Sequence, residues 1–265
     1  MPDIIAFCNR KGGSGKTTTA VHVAGGLCRM GQQVLLVDCD PQAHASLWLL
    51  GAKQPATNIM QVLTGEVSLS DAIYDTMQKG LSILPSHNNL SEFEARYTRK
   101  KGAAFILKNS LDNVVEQFDY IIFDTPPYIG LMLVSVLTCC QSVFVTVPLQ
   151  FLALDGLFEI TNLVKRIGAR ANPMLSLEGI IPVMFDRRLK SSWLHLKELK
   201  AKFGRTIYPE IRQNIKLAEA PARFSLVYDY APGSNGAHDY IRLTKAIATS
   251  VGAPTHHTAQ SAISK

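Results

Sequence analysis

The sequence predicts an α/β fold, a doubly wound, mostly parallel central sheet with helices on both faces. Three observations predict it. The runs Ile4 to Cys8, Val34 to Val37 and Ser142 to Pro148 are short and almost wholly apolar, the pattern of strands covered on both faces. Stretches with apolar residues at helical spacing separate such runs, as in folds that alternate strand and helix. Polar chemistry then gathers just after the strands, where open α/β sheets take their ligands. At 265 residues the chain can bury a full core. No repeat or linker divides it, so residues 1–252 read as one domain. Residues 253–265, small and polar with a single charge, read as a disordered tail.

The elements follow in order. A helix is expected from Thr17 to Met30, stopped by Gly31. Val34 to Asp38 is a strand. Two short amphipathic helices, Asn58 to Leu63 and Leu69 to Tyr74, are joined by Thr64-Gly65-Glu66, and Leu81 to Pro85 is a short strand. The polar stretch Glu92 to Lys101 ends in Arg96-Tyr97-Thr98-Arg99-Lys100-Lys101, in the first place a solvated helix face and in the second a nucleic-acid contact. A helix is expected over Ala103 to Phe118, with Ile106, Leu107, Leu111, Val114 and Val115 on its apolar face. Phe118 to Asp124 is a strand ending in an acid. Leu157 to Ile167 is a helix closed by Gly168, Leu177 to Phe185 a strand, Ser191 to Phe203 a helix, and His238 to Val251 the last helix.

Bulk properties narrow the function classes. The net charge of +6 points modestly to an anionic partner. The five cysteines form no C-x-x-C pair and no histidine stands at metal-ligand spacing, so they read as reduced core thiols of a cytosolic protein. Pro2-Asp3 leads straight into a strand, so no signal peptide is read, and Leu131 to Cys140 is far short of the ~20 residues that span a bilayer.

Asn9-Arg10-Lys11-Gly12-Gly13-Ser14-Gly15-Lys16-Thr17-Thr18 stands between a strand and a helix. Its glycines permit a tight turn whose N–H groups converge on phosphate oxygens, and the following helix start favours negative charge. Lys16 then reaches the terminal phosphates and the Thr17 hydroxyl ligates Mg²⁺. The general pattern G-x-x-x-x-G-K-[ST] wants glycine where this chain has Arg10; what stands here is K-G-G-x-G-K-[ST], opened by a second lysine, Lys11. Asp38 and Asp40 end the next strand. Two acids beside a phosphate loop suit holding Mg²⁺ waters and placing an attacking water, though Asp-x-Asp-Pro also favours a turn by itself. Asp124 ends a third strand as a Walker B acid would, bonded to a Mg²⁺ water or to Thr17.

This ordered set resembles the ParA/MinD family of deviant-Walker P-loop ATPases, from Ile4 to about Ala248. The resemblance implies ATP and Mg²⁺ as cofactors, with Gly12, Gly13, Ser14, Gly15, Lys16, Thr17 and Thr18 on the nucleotide and Thr17, Asp38 and Asp124 on the metal side. It implies that Lys11 reaches across a homodimer to the partner's nucleotide. Asp40, from the D-P-Q triplet, orients the hydrolytic water, and Asp124-Thr125-Pro126-Pro127 begins the segment that senses the γ-phosphate. Ile211-Arg212-Gln213-Asn214 with Leu217-Ala218-Glu219-Ala220-Pro221 is similar to the family's I-P-R-N…L-x-E-A-P, with Arg212 in the proline's place. Backbone at Glu210, Ile211 and Arg212 is thereby implied to hold adenine. In Gln150 to Gly156 an acid common in the family is replaced by Phe151-Leu152.

Between residues 186 and 216 nine basic residues stand against three acidic, an excess equal to the net charge of the chain, with Trp193 and His195 interleaved. Such a patch attracts phosphate backbones without reading sequence, although a merely solvated helix has the same look. The resemblance assigns non-specific DNA binding in the ATP-bound dimer to Arg187, Arg188, Lys190 and Lys216. It further implies a cytoplasmic, nucleoid-associated ATPase, released when a cargo adaptor stimulates hydrolysis, that positions a plasmid or chromosome partition complex or an organelle such as a carboxysome. The wording N-R-K-G-G-S-G-K and D-P-Q-A-H-A-S leans toward the organelle-positioning branch. Three readings compete. A MinD-like membrane cycle needs a basic amphipathic C-terminal helix, which the tail does not offer, so no stable membrane association is expected. Iron–sulfur relatives need paired cysteines. A non-cycling DNA-binding regulator on the same fold would not need Lys11, Lys16, Asp40 and Asp124 together.

Overall fold

The computed structural model describes residues 1–53, 55–111, 115–150 and 154–251, with the side chain of Val115 left out. Its strands are β1 (Asp3–Cys8), β2 (Val34–Asp38), β3 (Tyr74–Asp75), β4 (Leu81–Leu84), β5 (Tyr120–Asp124), β6 (Ser142–Pro148) and β7 (Ser176–Val183). They form one sheet in the order β3-β4-β2-β5-β1-β6-β7, parallel except where β3 pairs antiparallel with β4. The helices are α1 (Lys16–Arg29), α2 (His44–Leu50), α3 (Ile59–Thr64), α4 (Ser91–Tyr97), α5 (Ile106–Leu111), α6 (Leu131–Cys139), α7 (Leu154–Arg170), α8 (Lys190–Phe203), α9 (Ile215–Glu219), α10 (Val227–Tyr230) and α11 (Asn235–Val251).

The uninterrupted apolar strands are explained by two cores, one on each face. Ala6 and Cys8 of β1, Leu35 and Val37 of β2 and Ile121 and Phe123 of β5 pack on one side, with α3 to α8. Their neighbours Ile5, Phe7, Val34, Leu36 and Ile122 pack on the other, with α1, α2, α10 and α11. Successive side chains point to opposite faces, so a strand buried on both must be apolar throughout. β1 lies between β5 and β6, and the chain leaves it toward β2 and later returns to β6 on its other side. The loop after β1 therefore sits where the strand order reverses, the crevice in which such sheets bind ligands.

Three expected elements differ. Leu69 to Tyr74 is not a helix: Ser70–Ala72 is one 3₁₀ turn, after which Tyr74 joins the sheet edge opposite Ile83. The Tyr74 hydroxyl lies 2.8 Å from that of Thr57, a tether that a helix would break. Among the described residues from Ala103 to Phe118, only α5 is α-helical. A 3₁₀ turn precedes it, started by Gly102 at φ 80°, and another covers Val115–Gln117; Val114 lies outside the described residues. Gly168 does not close α7, which runs on to Arg170. Asn172 marks the exit instead, its side-chain amide donating to the carbonyls of Leu137 and Cys140. α2, α9, α10 and β3 were not foreseen, all too short to show a period. The expected tail and Phe151-Leu152 fall outside the described residues. Cys8, Cys39, Cys139 and Cys140 are buried thiols, and Cys28 is half-buried. Among the described residues no helix is long and apolar enough to cross a membrane.

Candidate active site

The loop between β1 and α1 turns through Gly13 at φ 67° and Gly15 at φ 80°, left-handed conformations that favour glycine. A Cβ on Gly12 or Gly13 would meet nothing within 4 Å, so the loop surrounds open space rather than packed protein. Gly15 caps α1 and offers no side chain, and the first intrahelical bond is made by Thr19 N–H to the Gly15 carbonyl. The earlier N–H groups of this 14-residue helix have no helical partner, the arrangement that draws anions. Asn9 braces the loop: its side-chain oxygen accepts the Lys11 N–H at 2.8 Å, and its amide donates to the Thr146 carbonyl of β6. Arg10 pairs with Glu159 of α7, and Lys11 is exposed.

Lys16 is buried, its ammonium donating to the Lys11 carbonyl at 3.3 Å. Burial lowers its pKa, while Asp124 and Asp40 act to raise it. Asp38 and Asp124 are register partners on β2 and β5, both fully buried. Neither oxygen of Asp124 has a hydrogen bond of good geometry. Burial and the charge of Asp38 push its pKa well up, and the neighbouring Thr17 hydroxyl and Lys16 pull it down. A buried acid without hydrogen bonds costs roughly 1–3 kcal/mol, so the structure keeps an acid where a cation would repay it. Ser14 likewise buries a hydroxyl without a partner. An orphaned acid, a lysine, a hydroxyl and free helix N–H groups around an open cradle fit a magnesium nucleotide.

The two acids after β2 divide their work. Asp38 accepts the Asp40 N–H at 3.1 Å, the Ser46 N–H at 2.9 Å and the Ser46 hydroxyl at 2.7 Å. Three of roughly four acceptor positions are thus taken within the protein. Burial raises its pKa to about 6, against those hydrogen bonds, which lower it. Among the described residues the Asp40 carboxylate accepts only the Gln42 N–H, at 3.0 Å. The turn that presents it runs through Ala43 at φ 52°, and Met184, just beyond β7, has φ 56°. Left-handed backbone at residues other than glycine is strain of the kind that gathers at functional sites.

Of the expected adenine segment, Ile211 N–H donates to the Pro182 carbonyl and the Ile211 carbonyl accepts Phe185 N–H. Arg212 N–H donates to Asp239 at 2.9 Å, and its guanidinium makes two further bonds, 2.8 and 2.7 Å, to the same buried carboxylate. The Glu210 carbonyl accepts from Arg242. The N–H donors of Ile211 and Arg212 are therefore committed inside the protein. Proline could not give the Arg212 N–H bond, so the departure from the family wording is built into the fold.

Arg187, Arg188 and Lys190 are exposed at the start of α8 and Lys216 is half-buried in α9. Arg188 is not a lone cation: Asp186 takes two of its guanidinium bonds, at 2.9 and 2.7 Å, and Arg188 in turn lowers the Asp186 pKa to about 2. Lys216 is shared with Glu219 at 2.9 Å. Leu189, Trp193 and Leu194 stand exposed among these charges. The cluster Arg96 to Lys101 lies on α4 and just beyond it.

The sequence family described as an AAA domain matches residues 2–177. The sporulation initiation inhibitor protein Soj of Bacillus subtilis is 34% identical over 250 residues, 94% of this chain and 99% of that one. The chain belongs to the ParA/MinD family of P-loop ATPases. The chromosome partitioning protein ParA of Caulobacter vibrioides is 32% identical over 248 residues, covering 92% of this chain and 93% of its own. A solved structure from Mycobacterium smegmatis, named cobyrinic acid a,c-diamide synthase and holding ADP and magnesium, superposes with a TM-score of 0.81 at 28% identity, covering 93% and 94% of the two chains. Membership in this family makes the chain an ATPase. Lys16, Asp38, Asp40 and Asp124, singled out in the sequence, are brought together by the fold; Asn9 and Ser46, present in the motif wording, and Glu94, for which there was no signal, were given no role.

Proposed function

We propose that this ATPase works as a nucleotide-driven DNA cycle: the ATP form dimerises on non-specific DNA, and hydrolysis stimulated by a cargo adaptor releases it. The observation that carries the reading is the meeting of Lys16, Asp40 and Asp124 at three neighbouring strand ends before the free N-terminus of α1. Kinship over 92% of the chain with a protein named for chromosome partitioning supports it. ATP and Mg²⁺ are the cofactors. Residues 12 to 18 would hold the phosphates, with Thr17 and Asp124 beside the metal and Asp38 steadying the loop behind it. Held there, Mg²⁺ would supply charge neutralisation at the terminal phosphates. Lys16 adds its own positive charge at the same end. Asp40, fixed through Gln42, has its other oxygen to orient the attacking water. Lys11 of each subunit reaches the partner's phosphates, so nucleotide and dimer are one event.

Arg187, Arg188, Lys190 and Lys216 are the DNA contacts in this reading, on a nucleoid-associated cytoplasmic protein. Partition complexes and protein organelles are the candidate cargoes, and co-purification with the product of a neighbouring gene distinguishes them. The test is binding to non-specific duplex DNA with no nucleotide, ADP, ATP and a slowly hydrolysed analogue across a salt series. Binding confined to ATP and the analogue, falling steeply with salt, supports the cycle. Exposed Leu189, Trp193 and Leu194 amid basic charge give a second reading, an anionic bilayer, tested with liposomes in the same nucleotide states.

A further inference from the structure

We infer that Glu94 is a positioning residue for the ATPase: from α4 its carboxylate caps α6 and thereby sets the loop Asp124–Gly130 that joins the nucleotide site to that helix. α6 begins after Gly130, which has no side chain to cap it. Glu94 supplies the missing acceptor from 38 residues away, taking the Met132 N–H at 3.1 Å. It occupies the place an N-cap oxygen would hold, and its negative charge suits a helix N-terminus. Gly130 is extended, at φ −141° and ψ −171°, a conformation open to any residue. An added Cβ there would fall 2.4 Å from both Glu94 carboxylate oxygens, so it would displace the carboxylate from its place at the helix start. Glycine and glutamate are thus two halves of one contact.

The rest of α4 explains why Glu94 is held where it is. Phe93 is fully buried in the core, which keeps the helix from rotating freely, and it stacks on Tyr97 of the same helix at 4.9 Å. At the other end the loop is fixed by Asp124 in the sheet and by the Thr125 hydroxyl, which donates to the Phe7 carbonyl at 2.8 Å. Between these anchors Tyr128 and Ile129 are exposed. Tyr128 feels both ends of the system: burial first, then the charges of Glu94 and Asp40, push its pKa up to about 12, which keeps its hydroxyl a donor. Releasing Glu94 frees the α6 end of the loop while leaving the phosphate cradle untouched.

The inference rests on the ATPase reading, and the test separates the two. Steady-state hydrolysis of Mg-ATP, equilibrium ADP binding and melting temperature are measured for the wild type, Glu94→Ala, Glu94→Gln, Gly130→Ala and the Ala–Ala double variant. Glu94→Ala is expected to lower kcat about fivefold, the factor one lost cap corresponds to, with ADP affinity unchanged within about twofold. Gln still offers a carbonyl to Met132, so Glu94→Gln restores most of the rate. Gly130→Ala slows the wild type by a similar factor and does nothing further in the Glu94→Ala background, where the obstructing carboxylate is gone. Wild-type kcat in Glu94→Ala, with only the melting temperature lowered, would overturn the inference, as would a Gly130→Ala effect that is the same in both backgrounds. If Glu94→Ala does not fold, Gly130→Ala alone decides, since wild-type rate and stability there exclude the contact. A wild type that hydrolyses no ATP sinks the ATPase reading instead.

Discussion

Acid should act on this fold through one histidine in the helix that follows the phosphate loop. His22 of α1 is fully buried. Its Nδ1 donates to the Thr18 carbonyl at 2.7 Å and its Nε2 accepts the Val227 N–H at 3.1 Å, so both nitrogens are used and the ring is neutral. It stacks on Tyr240 at 4.6 Å, with Trp48 and Tyr228 edge-on. Protonation would set an N⁺–H against the Val227 N–H, and burial holds the pKa down at about 4, from 6.5. The unfolded chain therefore takes up the proton first as pH falls. Stability due to this group is complete above the unfolded pKa and drains away between pH 6.5 and 4. The full shift is worth about 3 kcal/mol, of which roughly 2 is lost between pH 7 and pH 5. Asp38 and Asp124 run the opposite way in the same window, because their raised folded pKa values make the folded state the first to take protons. The wild-type curve alone is therefore a composite. The assay is urea unfolding from pH 7.5 to 4.5 of wild type and His22→Gln, whose amide can serve both partners. The stability gap between them is expected to shift toward the variant by roughly 2 kcal/mol at pH 5. Parallel curves would refute a buried, neutral His22.

Other expectations follow from single contacts. Arg212→Ala leaves the Asp239 carboxylate, 1% exposed, without its bidentate partner, and should cost about 3 kcal/mol in urea unfolding, with α11 losing amide protection first. Asp124→Asn removes an unbonded buried acid, so the nucleotide-free protein should melt higher while Mg-dependent hydrolysis is lost. Lys11→Ala should keep nucleotide and lose ATP-dependent dimers by light scattering; normal dimers and turnover would end the in-trans role. Arg187→Ala with Lys190→Ala should flatten the slope of log affinity for DNA against log salt by about 2, and an unchanged slope would move the DNA face toward residues 96–101.

Much of this molecule could be read before its structure. Runs such as Val34 to Val37 are apolar throughout because both faces of the sheet are covered, and that requirement writes itself into consecutive residues. Glycines at 13 and 15 are favoured by local backbone angles, so the glycine-rich loop between β1 and α1 was legible, and Asp38, Asp40 and Asp124 were legible at or just beyond strand ends. Short elements were not legible: Leu69 to Tyr74 has helical spacing, yet pairing of Tyr74 with Ile83 across the sheet edge outweighs a weak local preference. What only the tertiary structure decided is how the polar groups share partners. Ser46 claims Asp38, Asp239 claims Arg212, and Glu94 claims the end of α6, across 8, 27 and 38 residues. Local sequence sets which groups stand at a strand end or helix start; which of them is already satisfied depends on the distant segment folded against it.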